Sequence, residues 1–199
     1  MKVDVQPLTR EGFAAALDDV ARLRIAVFHD WPYLYEGDLE YERRYLAAYL
    51  HSKDALVVGA FDGARLVGVS TAAPLEDHAD ELGAPLRALG YDLTDVYYCA
   101  ESVLLPDYRG QGVGHAFFDL REAKARELGR KYMVFCSVKR PDDHPARPAS
   151  FRTNDAFWQG RGYRALDGVF ARYSWRDIGE VAETEKSLQV WFRALDGAE

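Results

Sequence analysis

SVLLPDYRGQGVGHAFFDL, residues 102–120, sets an apolar run ended by Pro106 against a helix-forming stretch, with Arg109, Gly110, Gln111, Gly112, Val113 and Gly114 between them. Without a Cβ, glycines let successive N–H groups converge on one point. A helix starting directly afterwards adds unpaired donors and roughly half a positive charge. Together these make a cradle for phosphate or pyrophosphate, to which Arg109 can add a charge-assisted bond. Two familiar phosphate motifs fail on this stretch. A GxxxxGK[ST] loop lacks its Lys-Ser or Lys-Thr, and a GxGxxG fingerprint meets His115 or Phe117 where its third glycine belongs.

The flanks extend the reading. VYYCAESVLL (96–105) reads as a buried strand, and Ala116, Phe117, Leu120, Ala123 and Leu128 predict one face of a helix from Val113 to a stop at Gly129. KYMVFCSV (131–138) is another strand, so strand, helix and strand form a parallel, right-handed crossover. Upstream, Val3 and Val5 alternate with polar residues into Pro7 as a short strand. Thr9 then caps a helix to about Phe28, HDWPYLYEGD (29–38) is an irregular connection, and a second helix covers 39–51. ALVVGAF (55–61) and RLVGVSTAA (65–73) around Asp62-Gly63 predict a tight hairpin, followed by a loop over 74–95 with a helical turn around 81–89. Downstream come a proline-broken loop over 139–152, a short helix near 154–161 and strands at about 168–176 and 187–194. The expected fold class is α/β in the α+β sense: one domain over 1–199 with a mixed, mostly antiparallel central sheet flanked by helices.

Composition narrows the partners. Against 25 Lys and Arg stand 32 Asp and Glu, a net charge of −7, which argues against nucleic acid or an anionic membrane as a partner. The first residues lack the apolar core of a signal peptide and no segment approaches the roughly 18 apolar residues of a membrane span, so the expected location is cytoplasmic. Cys99 and Cys136 each sit in an apolar strand and read as small hydrophobes. Neither belongs to a Cys or His cluster, and no metal is expected.

The turn fits the acyl-coenzyme A signature (Q/R)-x-x-G-x-(G/A) at Arg109, Gly112 and Gly114, after a strand and a proline. With the element order and the later AFWQGRGY (156–163), the chain resembles the GNAT acetyltransferase superfamily. The resemblance implies acetyl-CoA as co-substrate and a motif strand splayed from its parallel neighbour at 131–138. The backbone of Val103, Leu104 and Leu105 would meet the pantetheine arm in the gap, and Gly110, Gln111, Gly112, Val113, Gly114 and His115 would supply pyrophosphate amides. The Leu104 amide is the expected oxyanion donor. The implied reaction is direct attack by a primary amine of a small molecule or peptide, and a non-catalytic acyl-CoA binding or sensing module is the alternative.

Glu101, the carboxylate inside the apolar strand, is the candidate base, although a Glu there also fits a core ion pair with an arginine. His144 is a weaker acid/base candidate. The chain departs from the family where a tyrosine commonly protonates the leaving thiolate: that position is Trp158, and indole cannot act as the acid. The thiolate then leaves unaided, or Tyr98 or Tyr33 acts. Phe151 replaces a common cofactor-contacting asparagine, and Asn154, one turn on, can substitute. Trp31, Tyr33 and Tyr35, with Asp30, Glu36 and Asp38, form the expected acceptor wall, suited to a cationic amine; packing of the loop onto the core explains the aromatics equally. A homodimer remains open.

Overall fold

The computed structural model describes residues 3–78 and 82–195. Thr9 starts the first helix as expected, its hydroxyl accepting from the Gly12 amide at 3.0 Å. In order, the chain forms β1 (Asp4–Pro7), α1 (Arg10–Phe28), α2 (Leu39–His51), β2 (Leu56–Asp62), β3 (Arg65–Pro74), α3 (Gly83–Ala88), β4 (Val96–Leu104), α4 (Val113–Glu127), β5 (Tyr132–Val138), α5 (Asp155–Gly160), β6 (Arg164–Trp175) and β7 (Thr184–Ala194). Of the helical turn expected at 81–89, residue 81 lies outside the described residues. The seven strands form one sheet in the order β1-β2-β3-β4-β5-β7-β6, in which β4 and β5 are the parallel pair and the other neighbours are antiparallel. The mixed, mostly antiparallel sheet read from the sequence is the sheet observed.

Helices α1 and α2 cover one face, packing Phe13, Val20, Leu23 and Leu46 onto Val57, Val69 and Val103. Helix α4 covers the other, with Phe117 against Val58 and Ala60, and Phe118 against Tyr97, Cys99, Met133 and Phe135.

Two expectations need correction. Strand β6 begins at Arg164, not near 168, because Gly168 (φ +73°) lies inside an irregularity between Ala165 and Phe170 that interrupts pairing with β7. The buried face of α4 is Val113, Phe117, Phe118, Arg121, Glu122 and Ala125, while Ala123 is exposed. Counting only apolar residues rotates this helix, because two of its inward positions carry charge.

Candidate active site

Strand β4 pairs with β5 only over Val96–Tyr98 against Tyr132–Val134. Beyond Tyr98, β4 stays with β3 while β5 stays with β7, so the sheet opens into a wedge between its two halves. A register shift between Thr71 and Ala73 opposite β4 bends the ladder at the same level, as a bulge does.

Alternation along the ladder decides which backbone groups face the wedge. The Leu105 amide donates to the Val67 carbonyl at 3.0 Å, so Leu105 and, two residues back, Val103 direct their polar groups to β3. The Leu105 carbonyl also accepts the Tyr108 amide at 3.1 Å. Of the three residues expected to meet the pantetheine arm, Val103 and Leu105 are thus committed to the protein, and Leu104 alone turns its N–H to the wedge, its carbonyl accepting from Arg109 Nε at 3.3 Å. Ser102, which the motif did not single out, presents its backbone in the same way.

The glycine turn lies at the open end of this wedge. Gly110 (φ +74°) and Gly112 (φ +84°) adopt the left-handed conformation that glycine tolerates, and a Cβ built on either meets no atom within 4 Å. Helix α4 begins without a side-chain cap, and the first amide of this stretch with a protein acceptor is Ala116, bonded to the Gly112 carbonyl at 3.1 Å. Among the described residues no protein acceptor engages the N–H groups of 110–115. The surrounding side chains brace the turn: Gln111 Nε2 donates to the Asp107 carbonyl at 3.0 Å and Arg109 Nε to the Leu104 carbonyl at 3.3 Å. His115 Nδ1 accepts from Arg161 at 3.2 Å while its ring meets Phe157 edge-on. The open amides, bare backbone and adjoining wedge fit a diphosphate carried on an extended arm.

Trp158 is a packing residue here, its ring 5.0 Å from both Phe135 and Trp191. Asn154 precedes α5 without a side-chain hydrogen bond to it, and Phe151 lies edge-on to Trp31 of the loop 29–38 at 5.9 Å.

Glu101 sits in a buried polar cluster beneath α1 and α2. Arg24 Nη1 lies 2.6 Å from Glu101 Oε1, too poorly aligned for a hydrogen bond, and Arg24 Nε donates to Glu42 Oε2 at 2.5 Å. Tyr45 donates to Glu101 Oε2 at 3.0 Å. Arg24, Glu42 and Glu101 are 7 %, 0 % and 7 % exposed, so one guanidinium serves two buried carboxylates. Burial pushes Tyr45 far above the ordinary phenol range, with Glu101 adding to the shift, which keeps its proton in place as the donor. The core pair that the sequence allowed for Glu101 is present. Arg24 and Glu42 were missed, and their signal was a charged residue on the inward stripe of each helix, four residues from Val20 and from Leu46 respectively.

The loop 29–38 faces this cluster. Tyr33 packs on Phe28 at 4.3 Å and Trp175 at 5.8 Å, Trp31 lies tilted against His144 at 5.0 Å, and Tyr35 bridges to Asp177. Burial raises the Tyr33 and Tyr35 hydroxyls above the phenol range, with Glu42 contributing at Tyr35. Asp38 is spent as the cap of α2, accepting from Tyr41 N at 2.7 Å, and is not a free charge for an amine. Arg140, also unforeseen, ties the loop down: it donates to the carbonyls of Pro32 (3.0 Å) and Tyr33 (2.7 Å) and grips both oxygens of Asp177 at 2.6 and 2.9 Å. Among the described residues no group of His, Cys, Asp and Glu could hold a metal ion, and no helix is long and apolar enough to cross a membrane.

The model of the acetyltransferase (GNAT) family matches residues 23–149. No curated protein sequence matches the chain at a significant level. Among solved structures, the ribosomal-protein-alanine N-acetyltransferase of Brucella melitensis superposes with a TM-score of 0.62 at 13% identity, covering 96% of this chain and 99% of its own. The putative acetyltransferase yncA of Salmonella typhimurium, solved with its cofactor acetyl-CoA, gives 0.62 at 10% identity over 99% and 96%. A GNAT superfamily phosphinothricin acetyltransferase of Sinorhizobium meliloti, in complex with acetyl-CoA, gives 0.62 at 12% identity over 100% and 91%. At such identities the likeness is one of fold.

Proposed function

The chain belongs to the acetyltransferase (GNAT) family, and from that premise we propose that it transfers the acetyl group of acetyl-CoA to a primary amine. One observation carries the reading: the unengaged amides of 110–115 open onto a wedge into which Leu104 and Ser102 turn their backbone. The cradle residues hold the diphosphate, with the Arg109 guanidinium beside them. Acetyl-CoA supplies an activated thioester. The Leu104 N–H is the group available to stabilise the oxyanion as an amine attacks. Holding amine and thioester together contributes most of the rate, about 7–11 kcal/mol, and a base adds roughly 10²- to 10⁴-fold.

Glu101 is the proposed base. Its Oε2 accepts from Tyr45, while Oε1 lies against Arg24 without a hydrogen bond and keeps lone-pair capacity for a proton. Trp31, Tyr33 and Tyr35 form the proposed acceptor wall, and Asn154 a further cofactor contact. The Trp158 packing and the Glu101–Arg24 contact favour a second reading, a module that binds acyl-CoA without turnover.

Coenzyme A release from acetyl-CoA with a panel of primary amines separates the two. Turnover that falls a hundredfold or more in Glu101→Gln, with acetyl-CoA affinity retained, supports transfer. Tight acetyl-CoA binding with no release for any amine supports the module, and absence of binding removes both.

A further inference from the structure

Arg121 occupies a position where the inward stripe of α4 calls for an apolar side chain. Phe117, Phe118 and Ala125 flank it, and it is 1 % exposed. Its guanidinium lies over the Phe118 ring at 4.4 Å, and Nη1 donates to the Glu101 carbonyl at 3.2 Å. Nε and Nη2 are buried with no hydrogen-bond partner. The adjacent acid, Glu122, is already taken by Arg161 at 3.1 Å and Arg193 at 2.8 Å, and among the described residues no carboxylate lies within ion-pair distance of Arg121. A buried cation with open donors and no counter-ion is costly to keep, which points to a negative partner that arrives during function.

The contact with Glu101 places this cation three residues past Tyr98, near the closed end of the wedge. A carrier gripped at 110–115 and laid along Leu104 and Ser102 directs its far end, the thioester, toward that point. We propose that Arg121 is a catalytic residue of the transfer, its guanidinium stabilising the negative charge that sulfur acquires as coenzyme A leaves. The inference rests on the acetyl-transfer reading above. In that step the amine nitrogen forms the new C–N bond, the C–S bond breaks with its electron pair passing to sulfur, and the amine proton goes to Glu101 or to solvent. The guanidinium keeps all its protons and lowers the energy of the thiolate electrostatically. It thereby takes on the task that a phenol at position 158 would perform by protonation and that the indole present there cannot.

The groups facing Arg121 are Tyr97 and Cys99 from β4, Glu122 beside it, and Tyr163 just before β6. Burial pushes the Cys99 thiol up while Arg121 pulls it back, so the field of the cation reaches a sulfur on β4.

Ultraviolet thiolate absorbance of coenzyme A bound to the full-length protein, followed against pH with the desulfo-coenzyme A complex as blank, reads the contact directly. The bound thiol should ionise at least about tenfold more readily than free coenzyme A. Arg121→Met should abolish that gain while changing coenzyme A affinity by less than about threefold at a pH where the thiol is protonated, and Arg121→Lys should restore part of it. A wild-type complex whose thiol titrates like free coenzyme A overturns the proposal without any variant, and so does equal titration in wild type and Arg121→Met. Should Arg121→Met fail to fold, the wild-type titration alone decides. Failure to bind coenzyme A removes the transfer reading as well, whereas binding with an unshifted thiol removes this inference alone.

Discussion

Replacing Gly112 by valine separates the ligand role of the cradle from its role in the fold. The residue sits at φ +84° with open space where a Cβ would go, so the strain is conformational, about 1–2 kcal/mol, and no clash adds to it. Gly63 supplies the control. At φ +59° it is equally open, but it lies in the turn between β2 and β3, outside the 110–115 stretch, where its neighbour Asp62 accepts from the Tyr108 hydroxyl at 2.8 Å. Urea unfolding should therefore show a loss of about 1–2 kcal/mol for either Gly63→Val or Gly112→Val. Their affinities for coenzyme A should diverge. Each amide bond to a charged phosphate oxygen is worth about 1.5–3 kcal/mol, so disturbing two of them costs about 3–6 kcal/mol. By calorimetric titration that is a loss on the order of 10²- to 10⁴-fold for Gly112→Val, against less than about twofold for Gly63→Val. Wild-type affinity in Gly112→Val would refute the cradle. Equal losses in the two variants would show that affinity merely follows stability.

Arg24→Leu leaves the buried carboxylates of Glu42 and Glu101 without their cation and should cost about 3–5 kcal/mol in denaturant unfolding, most of which returns when both glutamates are also made methionine. A single variant as stable as wild type would show that the cluster contributes nothing to the fold. At Asp177, burial pushes the carboxyl up, but hydrogen bonds from Arg140 and Lys186 outweigh it and hold the group below the usual Asp range. A depressed carboxyl stabilises the fold above its unfolded value near 4 and loses that contribution as pH falls through its folded value. The stability gap between wild type and Asp177→Asn should therefore be constant around neutrality and close below about pH 4. A gap that widens as pH falls below 4 contradicts the assignment.

Much of this architecture is written in short-range signals. The Asp62-Gly63 hairpin, the Thr9 cap and the strand–glycine–helix passage at 96–128 each follow from the chemistry of a few neighbouring residues, and together they constrain the strand order. The cradle was legible for the same reason, since positive φ and a helix start are local. The alternation that turns Leu104 and Ser102 toward the wedge, and Val103 and Leu105 away from it, was not local: it depends on the Leu105 to Val67 bond, between residues 38 apart in the chain.

The charged helix residues were missed because apolar periodicity reads in one direction only. Apolar periodicity asks which positions are hydrophobic and passes over a charged residue in the stripe as noise, although burying such a residue unpaired is so unfavourable that its presence is itself a signal. Arg24, Glu42 and Arg121 all interrupt inward stripes, and all lie around Glu101: two share its side-chain cluster and the third bonds its carbonyl. The sequence holds the fact that charge sits on inward positions, and only the fold shows that these positions converge on one strand residue near the closed end of the wedge. Had the three been scattered, each would be a separate cost to stability. Their convergence puts two cations and two carboxylates at the site proposed for the transfer, where an amine would give up its proton and the C–S electron pair would pass to sulfur.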